Sequence, residues 1–335
     1  MNMAETAPHC PAGPPPVRRP GSLRRTSTIS TIWPEGLGKP MLMTGEARDL
    51  LTPVSGVPHV TATGFFEILA SPLREILSIT TRPDRRALQA LVGERAGSNL
   101  RAHLATTIPA QKSAGTPLYL LLDDYCGASL VAGWAWSRWN PEWLQAARRS
   151  GSQSTAGRGG KMAGICTGFA PGSSALTEDG SANPHIQSAT SVPPLTIEED
   201  PLAWHEMIPQ SGVGMRRARR IDVWRDNSLL HADLHFQDSA TAPEGGRIAV
   251  HEYLATATAD AATGKLLSLT ADPRILPYRE CPAAVSNIQK LLGQTLRDFR
   301  LSVLETLPGI LGCTHLNDVL RSLAEVPAMA IELDG

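Results

Sequence analysis

The feature that most constrains the fold is a set of three segments that recur, in the same order, in the two halves of the sequence. The corresponding pairs are RRTSTIS (24–30) with RRIDVW (219–224), ILSITTRP (76–83) with LLSLTADP (266–273), and LQALVGERAGSNLRAHLATTIP (88–109) with IQKLLGQTLRDFRLSVLETLP (288–308). Their separation far exceeds the period of solenoid repeats, so the pattern predicts a duplicated domain. The alternative is that two units of similar composition align by chance.

Hydrophobic periodicity in the second half changes from that of strands to that of helices. LLHADLHF alternates apolar and polar residues, and the TAPEGGR and DAATG turns connect it to two further strands, IAVHEYLATATAD and KLLSLTADP. From Pro282 onwards the apolar residues follow helical spacing. The sequence therefore predicts an α+β fold with duplicated β-β-β-α-α-α halves, in which helices cover one face of each antiparallel sheet.

Composition divides the chain into four regions. We expect a disordered, Pro-rich tail over residues 1–20, an α+β half over 21–145, an irregular Gly/Ser/Pro-rich connection over 146–215, and a second α+β half over 216–335. Two similar halves are expected to form a cleft between them, with the connection crossing it.

Charge and cysteine content restrict the partners and the compartment. The net charge of the 335 residues is −1, which does not favour nucleic acid, and LYLLLDDY is the nearest approach to an apolar membrane span. We interpret LYLLLDDY as a strand that ends at Asp123 and Asp124. Five widely spaced cysteines and a start without an apolar leader predict a reducing, cytoplasmic location. No pattern decides for or against a homodimer.

The second half resembles the NifU-like iron–sulfur scaffold proteins. The residues that carry the resemblance are TGKLLSLTADP, Cys281, the GQTL turn at 293–296 and Cys313-Thr314-His315-Leu316. The resemblance implies a shared fold for about 90 residues. The scaffold's first cysteine and aspartate, however, correspond here to Val250 and Glu252, so the cluster-binding set is incomplete.

Most of the chain also resembles a bacterial family known only as a domain of unknown function. The stretches that carry this resemblance are RRTSTISTIWPEGL, LYLLLDDYCGASLVAG, VHEYLATATADAATG, ADPRILPYRECPAA and GCTHLNDVLRSL. The activity that this resemblance implies is a lyase that acts without a cofactor on lignin-derived aromatic compounds.

Two cysteines precede predicted helices and raise the question of a metal site. Cys281, Cys313 and His315 could together bind zinc or iron, with Glu252 or His251 as the fourth ligand. Structural zinc sites usually contain closely spaced cysteine pairs, whereas no two cysteines here lie closer than 32 residues. We therefore favour packing of both thiols at helix starts, and no cofactor.

The histidines of the hairpin are the strongest candidates for catalysis. If His235 pairs with His251 and Asp233 with Tyr253, then these four side chains and His231 share one face of the sheet. Histidine is the usual general acid or base, and tyrosine can stabilise a developing phenoxide. Histidines in the same places could instead bind zinc or iron, and a one-residue shift of register would separate the cluster.

Four residues are candidates for binding the substrate. Arg220 lies in the basic run MRRARRIDVW, where a solvated strand start is the simpler interpretation, and Trp204, His205 and Tyr278 offer aromatic surface. The sequence thus predicts an acid–base enzyme for a small hydrophobic, aromatic substrate, most specifically a lyase that releases formaldehyde from a lignin-derived aryl ether dimer. The alternative is a metal-binding scaffold or binding module.

Overall fold

The computed structural model describes residues 10–140, 142–143 and 161–334, and these residues contain one nine-stranded antiparallel sheet. The strands are β1 (Ser22–Ile32), β2 (Met41–Thr52), β3 (His59–Ala70), β4 (Ile76–Arg82), β5 (Thr190–Val192), β6 (Gly214–Asp226), β7 (Leu229–Thr241), β8 (Arg247–Asp260) and β9 (Leu266–Ile275). Their order is β4-β3-β2-β1-β6-β7-β8, with β9 and the short β5 both paired with β8.

Helices follow each group of four strands in the sequence. The α-helices are α1 (Ser98–Thr107), α2 (Pro109–Ser113), α3 (Pro117–Val131), α4 (Trp136–Trp139), α5 (Phe299–Thr306), α6 (Thr314–Arg321) and α7 (Val326–Ile331). The 3-10 helices are Arg86–Leu91, Ala132–Ala135, Thr167–Phe169, Pro184–Ile186, Cys281–Leu291, Leu296–Asp298, Gly309–Leu311, Ser322–Glu325 and Glu332–Asp334. No helix in the described ranges is both long and apolar enough to cross a bilayer.

The two halves have a similar order of elements, with four strands followed by helices, and share equivalent contacts. Gly93 N donates to Ile76 O and Gly293 N to Leu266 O, both at 2.8 Å. The Gln89 side chain donates to Ile79 O in β4, and the Gln289 side chain donates to Leu269 O in β9. These contacts fix the first 3-10 helix of each half against its fourth strand. Whether the halves superpose throughout stays a prediction.

Three features of the fold differ from the sequence-based expectations. Each half has four strands rather than three, because the arginine-rich run forms the long strand β6. LYLLLDDY is helical, as part of α3, because a continuous apolar run suits a buried helix as well as a buried strand. The halves do not flank a cleft, because β1 and β6 pair over their whole length and merge both halves into one sheet.

The tail prediction is also wrong for the residues that the structure describes. Ala12 N donates to Glu252 at 2.8 Å, Pro16 O accepts from Arg24 at 2.9 Å, and Arg18 pairs with Asp200. Residues 10–20, called here the N-terminal segment, therefore lie against the sheet. Residues 1–9 of the predicted tail, residues 141 and 144–145 of the predicted N-terminal half, and residues 146–160 of the predicted connection lie outside the described residues.

The two faces of the sheet are covered by different parts of the chain. Helices of both halves pack on one face, the helix face, where the apolar residues of β6, β7 and β8 join a large core that includes Phe236 and Tyr253. The opposite face, called the outer face, is covered in part by the N-terminal segment and by a small apolar cluster around Trp204.

Charged residues form a buried layer on the helix face, between the cores of the two halves. This ion-pair layer consists of Arg25, Asp49, Arg101, Asp123, Asp124, Arg217, Arg219, Asp238, Arg300, Asp318, Arg321 and Glu325. Pairs within it connect the halves, as when Arg25 binds Asp49 at 2.6 Å and Glu325 at 2.9 Å. The six arginines and six carboxylates balance in charge, which buried ions require.

The ion-pair layer leaves no space for a side chain at Gly127 in α3. We therefore expect Gly127→Ala to destabilise the protein. A β-carbon there would overlap Asp318 Oδ2 and Arg217 Nη1, which bind each other at 2.8 Å. Alanine ordinarily stabilises a helix interior relative to glycine by about 1 kcal/mol, whereas overpacking costs about 1–3 kcal/mol. Chemical denaturation should therefore show a loss of stability.

Gly97→Ala is the matched control for this substitution. Gly97 precedes α1 with an extended backbone, and a β-carbon there would meet no atom within 4 Å. Its free energy of unfolding should fall by no more than about 1 kcal/mol, the cost of alanine at a helix N-cap. A stabilised Gly127→Ala protein would contradict the close packing described here.

Candidate functional site

The register of the β7–β8 hairpin separates the predicted catalytic cluster. His235 lies opposite Leu254, and Asp233 lies opposite Thr256, rather than opposite His251 and Tyr253. Because neighbouring residues of a strand face opposite sides, His251 and Tyr253 lie on the helix face while His235 and Asp233 lie on the outer face. The proposed arrangement of four side chains on one face is therefore wrong.

A cavity of about 130 Å³ on the outer face contains part of the predicted site. Its polar lining includes Arg220, Asp233 and His235, which were all predicted as site residues. Its remaining lining is mostly apolar and comes from Ala12, Gly13, Pro14, Pro15, Pro16, Leu195 and Leu254. We call this cavity the tail cleft, because the N-terminal segment forms one wall.

Hydrogen bonds hold the polar side chains of the tail cleft in place. His235 Nε2 lies 2.8 Å from Glu252 Oε1, which also accepts from Gln237 at 2.8 Å. Burial alone would raise the pKa of Glu252, but its bonds with His235 and Gln237 lower the pKa below its usual value. Arg220 binds both Asp222 and Asp233. The cleft thus contains a histidine with a fixed carboxylate partner, as general acids and bases often have.

A second group of polar side chains lies on the helix face. Asp238, His251 and His315 each offer an oxygen or nitrogen, and these atoms all lie within 4.8 Å of one another. The imidazole rings of His251 and His315 stack with centroids 3.4 Å apart. Arg217 binds Asp238 at 2.9 Å. His315 and His251 were both considered as metal ligands from the sequence, but with Cys281 and Cys313 rather than with Asp238.

Neither predicted set of metal ligands, with Glu252 or with His251 as the fourth, comes together, because the one such group among the described residues contains no cysteine. Glu252 lies on the outer face, and therefore on the opposite side of the sheet from Cys281 and Cys313. The two thiols are buried in the main core, and burial raises the pKa of each above its usual value. Tyr253 donates to Cys313 Sγ at 3.6 Å, and burial raises the pKa of this tyrosine as well. The geometry agrees with packed thiols.

Three residues predicted to bind substrate are buried in structural contacts. Both ring nitrogens of His205 contact threonine hydroxyls of β1, and burial, with nearby Arg48 and Arg216, lowers the pKa of His205 to about 3. Trp204 lies in the small apolar cluster. Tyr278 bonds Gln187 at 2.8 Å. His231, predicted as catalytic, stacks on Trp224 outside the tail cleft.

Sequence reasoning missed Asp238 and the burial of the arginine run. Asp238 follows Phe236 by two residues and thus continues the apolar side of β7, where a carboxylate needs a buried partner. Arg217 and Arg219 occupy the same side of β6 and supply such cations. The sequence therefore contained a signal for this buried charge. Charged residues stand at positions that the two-residue period of a strand assigns to the core.

Comparison with known proteins gives one family match, which lies in the C-terminal half. Residues 215–329, about a third of the chain, match a family described as "Protein of unknown function (DUF2889)". The match includes His235 of the tail cleft and the whole Asp238, His251 and His315 group. No curated protein and no solved structure matched the chain. The comparisons thus support an uncharacterised domain family and indicate no reaction.

Proposed function

We propose that the chain is an enzyme that performs acid–base chemistry in the tail cleft on a small, hydrophobic, aromatic substrate. The observation that carries this proposal is the pairing of buried His235 with Glu252, at 2.8 Å, beside a cavity that Arg220 and Asp233 also line. A carboxylate that bonds one ring nitrogen sets the tautomer, so the other nitrogen can exchange a proton with the substrate. Such chemistry needs no cofactor.

The size of the cavity favours a substrate that inserts one ring or one reacting end. A cavity of about 150 Å³ holds benzene, and the tail cleft is slightly smaller at about 130 Å³, so it can enclose a reacting end or most of one ring but not two rings. Apolar walls from Pro14, Pro15 and Leu254 suit an aromatic ring. A two-ring substrate would therefore require displacement of the N-terminal segment.

The narrower form of the proposal is a lyase that releases formaldehyde from a lignin-derived aryl ether dimer, as the family resemblance implies. His235 accepts the proton of a hydroxymethyl group, and the carbon–carbon bond to that group breaks to leave formaldehyde. The electron pair of this bond forms a carbon–carbon double bond as the aryl ether bond breaks, and the phenoxide takes up a proton. The reaction is redox-neutral, so acid and base catalysis suffice.

The direct test is an assay of purified full-length protein with a hydroxymethyl-bearing aryl ether dimer. Formaldehyde and the new conjugated alkene should form in equal amounts, measured by derivatisation and by ultraviolet absorbance. The matched compound with methyl in place of hydroxymethyl should give neither product. Absence of both products from the first compound would contradict the lyase. Absence of turnover on single-ring analogues as well would contradict the broader proposal.

We expect Leu254→Trp to reduce turnover without altering a charged group. Leu254 lines the tail cleft, so the larger ring should occupy the space of the substrate. A change in pocket size should lower kcat/KM by at least about tenfold. Leu267→Trp is the control, because Leu267 is an exposed residue of β9 outside the cleft. Equal activities of the two variants would place the reaction elsewhere.

We further propose that the halves arose by duplication of a NifU-like unit. The similar order of elements and the equivalent contacts of Gln89 and Gln289 support this proposal. An experimental structure in which β1–β4 and β6–β9 fail to superpose would contradict it.

A further inference from the structure

The histidine and aspartate group on the helix face has the composition of a transition-metal site. Asp238 is in β7, His251 is in β8, and His315 is the second residue of α6, so three elements position the side chains. We propose that Asp238, His251 and His315 bind one divalent transition-metal ion, with Zn²⁺ as the best fit. This site is separate from the tail cleft and does not depend on the proposed lyase activity.

The distances within the group suit a single small ion. His251 Nδ1 lies 3.4 Å, and His315 Nε2 lies 3.9 Å, from Asp238 Oδ2. Ligands bound tetrahedrally at about 2.0–2.1 Å lie about 3.3 Å apart. Both distances to Asp238 Oδ2 thus exceed this separation by only a few tenths of an ångström, and binding of one ion requires the stacked imidazole rings to tilt so that both lone pairs point towards it.

Unpaired nitrogens provide an independent indication of a ligand. The contacts of His251 Nδ1 and His315 Nε2 with Asp238 Oδ2 lack the geometry of a hydrogen bond, and within the described part of the chain neither buried nitrogen has another partner. His251 is only 5 % exposed, so water does not readily compensate for the missing bond. A bound cation would satisfy both nitrogens at once. This explains why two imidazoles lie together beside a carboxylate.

Arg217 does not prevent a cation from binding beside Asp238. Its guanidinium also binds Asp318 at 2.8 Å and lies 4.0 Å from Asp124, so its charge is shared among three carboxylates. A carboxylate oxygen that accepts one hydrogen bond keeps a second lone pair. Arg217 thus orients Asp238 as an outer partner of a metal ligand does.

Two histidines and one carboxylate favour zinc over calcium or magnesium, which prefer oxygen ligands. The same ligand set can also bind iron(II). Three protein ligands leave the fourth tetrahedral position of zinc for water or a small molecule, and His315 is 16 % exposed at its side chain. The structure therefore favours a zinc site with one exchangeable position.

The test is a zinc titration of tag-free, full-length protein that has been treated with a chelator and dialysed. Competition with a chromophoric chelator should show one ion bound per chain. His315→Ala should weaken binding at least 100-fold, because one of three ligands is lost. Cobalt(II) in the same site should give the intense visible absorption of a tetrahedral ion, and zinc should displace it.

His231→Ala is the matched control, because His231 lies in β7 on the outer face and outside the group. Its zinc affinity should equal that of the unmodified protein. If His315→Ala does not fold, His315→Gln should show the same loss of affinity. Absence of stoichiometric zinc and iron(II) binding to the unmodified protein would overturn the proposal. Equal zinc affinity in the His315 and His231 variants would overturn it as well, whereas preference for iron(II) would correct the assigned metal.

Discussion

Asp123→Asn should lower the free energy of unfolding by about 3–5 kcal/mol, because it removes one partner from a buried ion pair. Asp123 binds Arg321 at 2.7 Å and Arg300 at 2.7 Å, and all three residues are buried. Asparagine keeps the volume but leaves two guanidinium groups without this counter-charge. Urea denaturation at pH 7 measures the difference.

The same substitution should change the dependence of stability on pH. Burial alone would raise the pKa of Asp123, but Arg321, Arg300 and Arg101 outweigh it and hold the pKa well below its usual range. A carboxyl with a lowered pKa stabilises the fold above its unfolded pKa of about 3.9, and this contribution is lost as the pH falls further. The unmodified protein should therefore lose its advantage over Asp123→Asn in acid.

Asp84→Asn is the matched control for Asp123→Asn. Asp84 lies 3.9 Å from Arg86, and both side chains are exposed, so solvent screens their attraction. We expect a change below about 0.5 kcal/mol at pH 7. Equal effects of the two substitutions would mean that the ion-pair layer contributes no more than a surface pair.

The sequence predicted the elements whose periodicity is local. The turns at TAPEGGR and DAATG connect β7, β8 and β9 as expected, since turn residues and alternation both act over a few residues. Cys281 begins a 3-10 helix and Cys313 precedes α6 directly, also as expected. The α+β class and the antiparallel pairing follow from the same signals.

The register of the hairpin could not be predicted from alternation alone. The predicted register and the observed register both place His235 on the polar side of β7. Which face of the sheet His251 occupies depends on how β8 pairs with β7. A bulge between Asp238 and Ser239 displaces the register along the hairpin, and no local sequence pattern specifies it. Because of this error, two predicted catalytic residues, His251 and Tyr253, lie on the opposite face of the sheet from His235 and Asp233.

Long-range pairing of charges explains the remaining errors. Asp123 in α3 and Arg321 in α6 are 198 residues apart, and each alone resembles a solvated residue. Distant partners also explain the error in the N-terminal segment. Its Pro-rich composition predicts disorder, whereas Glu252 and Asp200 bind it on the outer face. Composition describes the segment alone and contains no information about its distant partners.

His235→Ala should reduce turnover by about 10²–10⁴-fold, the usual range for loss of a general acid or base, while the fold stays intact. His235 is the histidine that lines the tail cleft, and its bond to Glu252 should be lost with the ring. The loss should appear in kcat rather than only in KM, because proton transfer occurs in the transition state. Steady-state kinetics with the aryl ether dimer measure both constants.

Two further variants distinguish catalysis by His235 from a structural role. Glu252→Gln keeps a hydrogen-bond acceptor beside His235 but removes the charge, so activity should fall less and its dependence on pH should shift. His231→Ala changes a histidine of the same strand and face outside the cleft, and its turnover should equal that of the unmodified protein. Full activity of His235→Ala would rule out this imidazole as the base. Equal losses in the His231 and His235 variants would instead indicate damage to β7, because only His235 contacts the cleft.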